Sequence, residues 1–157
     1  MLTNPKSTID QLLQHMKERK LDFRIYVHAN SDINFLSQYD CHQDNIGIAV
    51  ESAEPLGELA FYSKFPEVQM MSVTPGKQGQ QFMVQSLDKV TQLEQMGYTG
   101  RVSLDGGINL DSARVISLSS VDRVSVGSYF QKSENLLSDY QKLHQALNHA
   151  QSSNQAA

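Results

Sequence analysis

The 157 residues contain one cysteine, Cys41, so no internal disulfide can form and a reducing compartment is expected. Basic residues are also scarce. There are 13 Lys and Arg against 17 Asp and Glu, for a formal charge of -4. A general nucleic-acid binder needs a concentrated basic excess to neutralise phosphates, so that class is excluded. The densest basic stretch, Lys17, Arg19 and Lys20, is broken by Glu18 and reads as a solvated helix end favourable to the dipole. Wholly apolar runs are only a few residues long, as in Ile48-Ala49-Val50, far short of a membrane span. No apolar segment follows Met1-Leu2-Thr3-Asn4-Pro5, so the start does not read as a signal peptide. The expectation is a cytoplasmic protein with neither a nucleic-acid nor a membrane partner.

What is present alternates. Hydrophobic residues make up 39% and charged residues 19%, a balance suited to a single domain over residues 1–150, with a small, polar, disordered tail over 151–157. Ser7-Thr8-Ile9-Asp10 resembles a capping box before Ile9, Leu12, Leu13 and Met16 at helical spacing. Strands are predicted to begin near residues 23, 46, 68, 102 and 121. Helices are predicted from Ser31 to Tyr39, from Glu54-Pro55, around Leu87, Val90 and Leu93 up to Gly97, from Leu110 to Leu118, and through Leu136 to Leu147. Strands separated by helices make parallel βα units. Five such units fit either an open doubly wound sheet or part of an eight-fold barrel, and periodicity does not choose between them.

Two segments break the scaffold pattern just after strand ends, where α/β proteins place their sites. One is Val68-Gln69-Met70-Met71-Ser72-Val73-Thr74-Pro75-Gly76-Lys77-Gln78-Gly79-Gln80-Gln81-Phe82, with its Gly- and Gln-rich loop from Thr74 to Gln81. The other is Leu104-Asp105-Gly106-Gly107-Ile108-Asn109, with Val126-Gly127-Ser128 one unit later. Glycines there let backbone N–H groups approach an anion closely. Each piece alone would be a plain turn, but in register on consecutive units they predict a phosphate cradle. Asp105 ends an apolar strand. A carboxylate there suits proton transfer or hard-metal ligation, and alone it would read as a turn or N-cap residue.

Met71-Ser72-Val73-Thr74-Pro75-Gly76-Lys77-Gln78-Gly79-Gln80-Gln81-Phe82, with Lys89-Val90 after it, is similar to the long signature of ribulose-phosphate 3-epimerases, at their sixth strand and following loop. Leu104 to Asn109 resembles the seventh strand end, Val126-Gly127-Ser128 the eighth, Val50 to Leu56 the fifth and Ile25 to Asn30 the fourth. The resemblance covers about residues 1 to 147 and selects the barrel: an α/β fold, part of a TIM (β/α)8 barrel of the ribulose-phosphate-binding type, with about five parallel βα units.

The resemblance further implies interconversion of ribulose 5-phosphate and xylulose 5-phosphate, or a related ketose phosphate, by proton transfer through an enediolate. It implies Asp105 as acid/base and metal ligand, a divalent metal (zinc, iron or manganese), and substrate or phosphate contacts at Gly76, Gly79, Gly106, Gly107, Gly127 and Ser128. Met71 would line the sugar and His28 the site wall. Lys77 and Gln78 replace a usual Phe-Gly pair of the loop, and Lys77 could itself meet the phosphate. The family's opposing carboxylate and the histidine beside it come from its second strand and a further histidine ligand from its third; Leu2-Thr3-Asn4-Pro5 resembles the tail of that third strand, so on this correspondence the three have no counterpart in the sequence. The expectation is therefore low activity for the chain by itself. A non-catalytic sugar-phosphate binder, pairing with an N-terminal half-barrel partner as one half of a split barrel, and self-association through open sheet edges are the alternatives.

Overall fold

Every strand expected from the alternation forms, and each pairs with its sequence neighbour. The computed structural model describes residues 5–29, 36, 38–39, 44–74, 76 and 79–154. Its elements run α1 (Pro5–Arg19), β1 (Ile25–His28), β2 (Ile46–Val50), α2 (Leu59–Tyr62), β3 (Glu67–Met71), α3 (Gln85–Gln95), β4 (Arg101–Asp105), α4 (Leu110–Ile116), β5 (Arg123–Ser125), α5 (Ser128–Gln131) and α6 (Leu136–Asn154). The strands form one sheet in the order β1-β2-β3-β4-β5, and all four pairings are parallel. No helix among the described residues is long and apolar enough to cross a membrane.

Side chains alternate between sheet faces, so the register separates two populations. One face carries the rows Val27–Ile48–Val68–Val102 and Val50–Met70–Leu104–Val124. These join Ile9, Leu13 and Met16 of α1, Val90 and Leu93 of α3, Ala113 and Ile116 of α4 and Leu143 of α6 in a single apolar core. The other face is polar. Its printed rows are His28–Ala49–Gln69–Ser103–Arg123, Glu67–Arg101 and Met71–Asp105–Ser125. Closed barrels usually fill that side with branched apolar residues.

At the N-terminal ends of the strands this polar face closes on Glu67, whose side chain is fully buried. Gly47 is small because Tyr26 lies over it, where an added Cβ would meet the ring at 2.7 Å. From there the Tyr26 hydroxyl donates to Glu67 Oε1, and Arg24 Nη1 pairs with Oε2.

Some boundaries differ from the sequence reading. Helix α1 begins at Pro5 rather than after Ser7, because proline's missing N–H costs nothing in a first turn. Glu54-Pro55 does not open a helix: a turn closed by the Glu54 N–H on the Glu51 carbonyl (3.2 Å) leads into an irregular connection. Helix α2 starts only at Leu59, after Gly57 has donated its N–H to the Tyr62 hydroxyl at 2.9 Å. Of the helix expected from Ser31 to Tyr39, only Leu36, Gln38 and Tyr39 are described; Leu36 and Tyr39 are buried. The backbone of α6 continues to Asn154, into the segment read as a tail.

Candidate functional site

Strand β4 ends on Asp105, and the two residues after it have to be glycines. Gly106 has φ +118°, and a Cβ there would sit 2.5 Å from a methyl of Val73; Gly107 has φ +67°, and its Cβ would lie 2.5 Å from the Phe82 nitrogen. The turn is thus pressed against the loop that follows β3. Ser72 fastens the two together, its N–H donating to the Asp105 carbonyl (2.8 Å) and its hydroxyl to the Gly106 carbonyl (2.7 Å).

Phe82 backbone cannot swing aside as a side-chain tip would, and left-handed φ adds about 1–2 kcal/mol for any L residue. Gly107→Ala is therefore expected to lose roughly 2 kcal/mol or more and several degrees of melting temperature. At Gly127, where φ is -109° and nothing lies within 4 Å of a Cβ, alanine is expected to change stability by less than about 1 kcal/mol. Calorimetry of the two variants checks the contrast.

A cleft of about 300 Å³ opens at the C-terminal ends of β4 and β5, lined by Val73, Gly79, Gln80, Asp105, Gly106, Gly107, Ile108, Ser125, Gly127, Ser128 and Gln131. Six of the residues singled out from sequence meet here: Gly79, Asp105, Gly106, Gly107, Gly127 and Ser128. Gly76 is exposed, with φ +102°, and is not part of the lining; Lys77 and Gln78 lie outside the described residues. Within α4, the N–H groups of Asp111 and Ser112 are occupied by the Asn109 side chain at 2.8 and 3.0 Å. No hydrogen bond among the described residues occupies the N–H groups of Gly106, Gly107, Gly127 or Ser128.

Asp105 is partly buried, and that burial pushes its carboxyl above the usual carboxylate range, with Gln69 opposing the shift through a hydrogen bond from its amide to Oδ2 at 2.9 Å. A carboxylate made more basic in a cleft has the direction that proton abstraction needs. Met71 is paired in register with Asp105 on β3, and His28 ends β1; both stand on the polar face but outside the cleft's lining. Ser125 and Gln131 were missed from sequence, and Gln69 was read only as one residue of the Val68 to Phe82 segment, with no role of its own. Gln69 and Ser125 have a readable signal in their spacing of two from Met71 and Gly127. Gln131 has none, because only the tight turn into α5 brings it back to the cleft.

A family profile described as Ribulose-phosphate 3 epimerase family matches residues 1–131. The chain belongs to that family. Among curated members it is similar to the ribulose-phosphate 3-epimerase of Serratia marcescens, 29% identical over 106 residues that cover 64% of this chain and 49% of the relative. The Escherichia coli (strain K12) ribulose-phosphate 3-epimerase is 27% identical over 106 residues, 64% of this chain and 46% of the relative. The Treponema pallidum (strain Nichols) ribulose-phosphate 3-epimerase is 33% identical over 90 residues, 54% and 41%. The chain spans about half the length of the curated relatives it matches. Its five consecutive parallel strands are part of the (β/α)8 barrel of the epimerase family.

Epimerases of this family depend in general on a divalent metal. Among the described residues no group of three or more His, Cys, Asp or Glu side chains converges on a metal-sized site, and Asp105 has an amide, not another ligand, against its Oδ2. The described residues do not fit a metal centre.

Proposed function

We propose that this chain binds a ketose phosphate and takes part in its 3-epimerisation, exchanging ribulose 5-phosphate and xylulose 5-phosphate through an enediolate. The phosphate sits on the N–H groups of Gly106, Gly107, Gly127 and Ser128. The carbon beside the ketone comes over Asp105, which moves its proton. The reading is carried by one juxtaposition: four uncommitted backbone donors and a desolvated carboxylate share a single 300 Å³ cleft. Convergent backbone N–H groups are suited to phosphate oxygens, and a carboxylate alone beside them is suited to a carbon acid rather than to a second phosphate.

Titration of labelled protein with inorganic phosphate and with ribulose 5-phosphate tests it by amide NMR. Progressive shifts at these four amides are expected from both ligands, with dissociation constants in the millimolar range, worth about 4 kcal/mol. Unmoved amides at about 10 mM of either ligand, well into the range of weak sites, would remove the reading.

A further inference from the structure

A phosphate group in the cleft meets a charge of its own sign. Among the lining residues Asp105 alone is ionisable, and its carboxylate is an anion. Backbone N–H groups supply only partial positive charge. Two anions held in one cleft of about 300 Å³ repel each other unless a cation stands close by.

One cation stands at the rim. Lys132 directly follows α5, the short turn that contributes Ser128 and Gln131 to the lining and has Gly127, also in the lining, as its N-cap. The N–H groups of Phe130 and Gln131 both donate to the Gly127 carbonyl, at 3.0 and 3.1 Å, so the turn is tight. The base of the Lys132 side chain is thereby kept beside the cradle. Its ammonium reaches across to another wall: Nζ lies 3.8 Å from where a Cβ on Gly79 would stand. Gly79 belongs to the loop after β3, and Gly106 and Gly107, at the end of β4, lie between the two walls. That loop is itself held, by the Met83 N–H on the Ser72 carbonyl at 2.8 Å and by the Gln80 amide on the Thr74 carbonyl. Lys132 therefore has its main chain on the β5 side of the cleft and its charge on the β3 side.

The charge is also uncommitted. No hydrogen bond or ion pair among the described residues involves the Lys132 ammonium. Asp139, which the adjacent Ser133 reaches with its hydroxyl at 2.7 Å, is paired with Lys142 at 3.1 Å.

We infer that Lys132 is the counter-cation of the phosphate site, its ammonium meeting the outer phosphate oxygens while the backbone N–H groups hold the inner ones. The inference rests on the ketose-phosphate reading above and names the residue that makes the site prefer a dianionic ligand. A lysine ammonium is a compact charge with three donors on a flexible stem, suited to a phosphate that must arrive and leave. Because Lys132 is exposed, its field also reaches solution, where salt screens it. Beside Asp105 it offsets the repulsion that a bound phosphate adds.

The test is amide-NMR titration of ribulose 5-phosphate into wild type, Lys132→Gln and Lys132→Arg, at low and at high salt. Amide spectra without ligand establish that each variant is folded. At about 0.05 M salt, Lys132→Gln should bind roughly tenfold more weakly than wild type, the lower worth of one charge-assisted hydrogen bond. At about 1 M salt, where the Debye length is about 3 Å, wild type should fall close to Lys132→Gln, whose own affinity changes less. Lys132→Arg keeps the charge and should stay within about threefold of wild type, with the same salt dependence. Equal affinities of wild type and Lys132→Gln at low salt would overturn the inference. So would a loss in Lys132→Gln that persists undiminished at high salt, or that Lys132→Arg shares in full, because altered packing rather than lost charge produces either. A wild type whose Gly106, Gly107, Gly127 and Ser128 amides do not move with the ligand would instead overturn the underlying reading.

Discussion

On the ketose-phosphate reading proposed above, Asp105→Asn is expected to lower conversion of ribulose 5-phosphate to its 3-epimer by about 10²–10⁴-fold, the usual worth of a positioned acid/base group. That is about 3–5 kcal/mol of barrier. The substitution is nearly isosteric, and the new side-chain oxygen can still accept from Gln69, which holds the present carboxylate at 2.9 Å. The Ser72 N–H and hydroxyl donate to the main-chain carbonyls of Asp105 and Gly106, so neither contact uses the Asp105 side chain and both survive the change. Phosphate affinity should therefore be kept, because none of the proposed phosphate contacts belongs to the Asp105 side chain. The measurements are the epimerisation rate and the NMR titration, taken together. A variant that loses phosphate binding as well would show that Asp105 shapes the cleft rather than acting on carbon. A variant that turns over at the wild-type rate would remove it from the chemistry.

Both the parallel sheet and the cleft's glycines could be read from sequence, for the same reason: each depends on local pattern. Apolar pairs such as Ile48 and Val50, or Val102 and Leu104, mark strands that helices must cover. Gly106-Gly107 after a strand-ending Asp105 marks a turn pressed against its neighbour. What escaped is what depends on sequence-distant partners. The extent of α2 follows from a Gly57–Tyr62 hydrogen bond that no propensity signals. Gln69 was read only as part of the third strand, because its partner Asp105 is 36 residues away. The strands also carry a second period-two pattern: Arg24, Tyr26 and His28 on β1 and its approach, Glu67 and Gln69 on β3, Arg101, Ser103 and Asp105 on β4. Read together, those alternating polar positions describe a two-faced sheet whose inner, barrel-side face is more polar than the branched apolar filling usual there.

Glu67→Gln follows from that second face and carries the largest expected effect on stability. One buried carboxylate serves four donors: the Tyr26 hydroxyl on Oε1, and on Oε2 the guanidinium groups of Arg24, of Arg123 at 3.2 Å and of Arg101 at 3.5 Å. Burial by itself would raise the Glu67 carboxyl. The hydrogen bond from Tyr26 and the charges of Arg123 and Arg24 outweigh it and hold the group below its ordinary value of 4.5. Removing one member of a buried charge cluster typically costs about 3–5 kcal/mol, because the remaining charges stay desolvated. Here Arg101 and Arg123 are about half exposed and can turn to water, while Arg24 is only 17% exposed and is tied to the Asp44 carbonyl. The loss should therefore fall near about 3 kcal/mol, a large share of the 5–15 kcal/mol typical of a domain. The pH dependence has a fixed sign. A carboxyl depressed in the folded state contributes fully above its unfolded value, so the contribution is present at neutral pH and is lost as pH falls below about 4.5 through the lower folded value. Urea unfolding of wild type and Glu67→Gln at neutral and acid pH measures both quantities. The variant should be less stable at neutral pH and should have a flatter acid limb, the two curves converging as pH falls. Tyr26→Phe, which removes one donor but leaves the charges, should cost about half as much, near 1.5 kcal/mol for a hydrogen bond to a charged group. Equal midpoints for wild type and Glu67→Gln at neutral pH would mean that the arginines are held in place without their carboxylate.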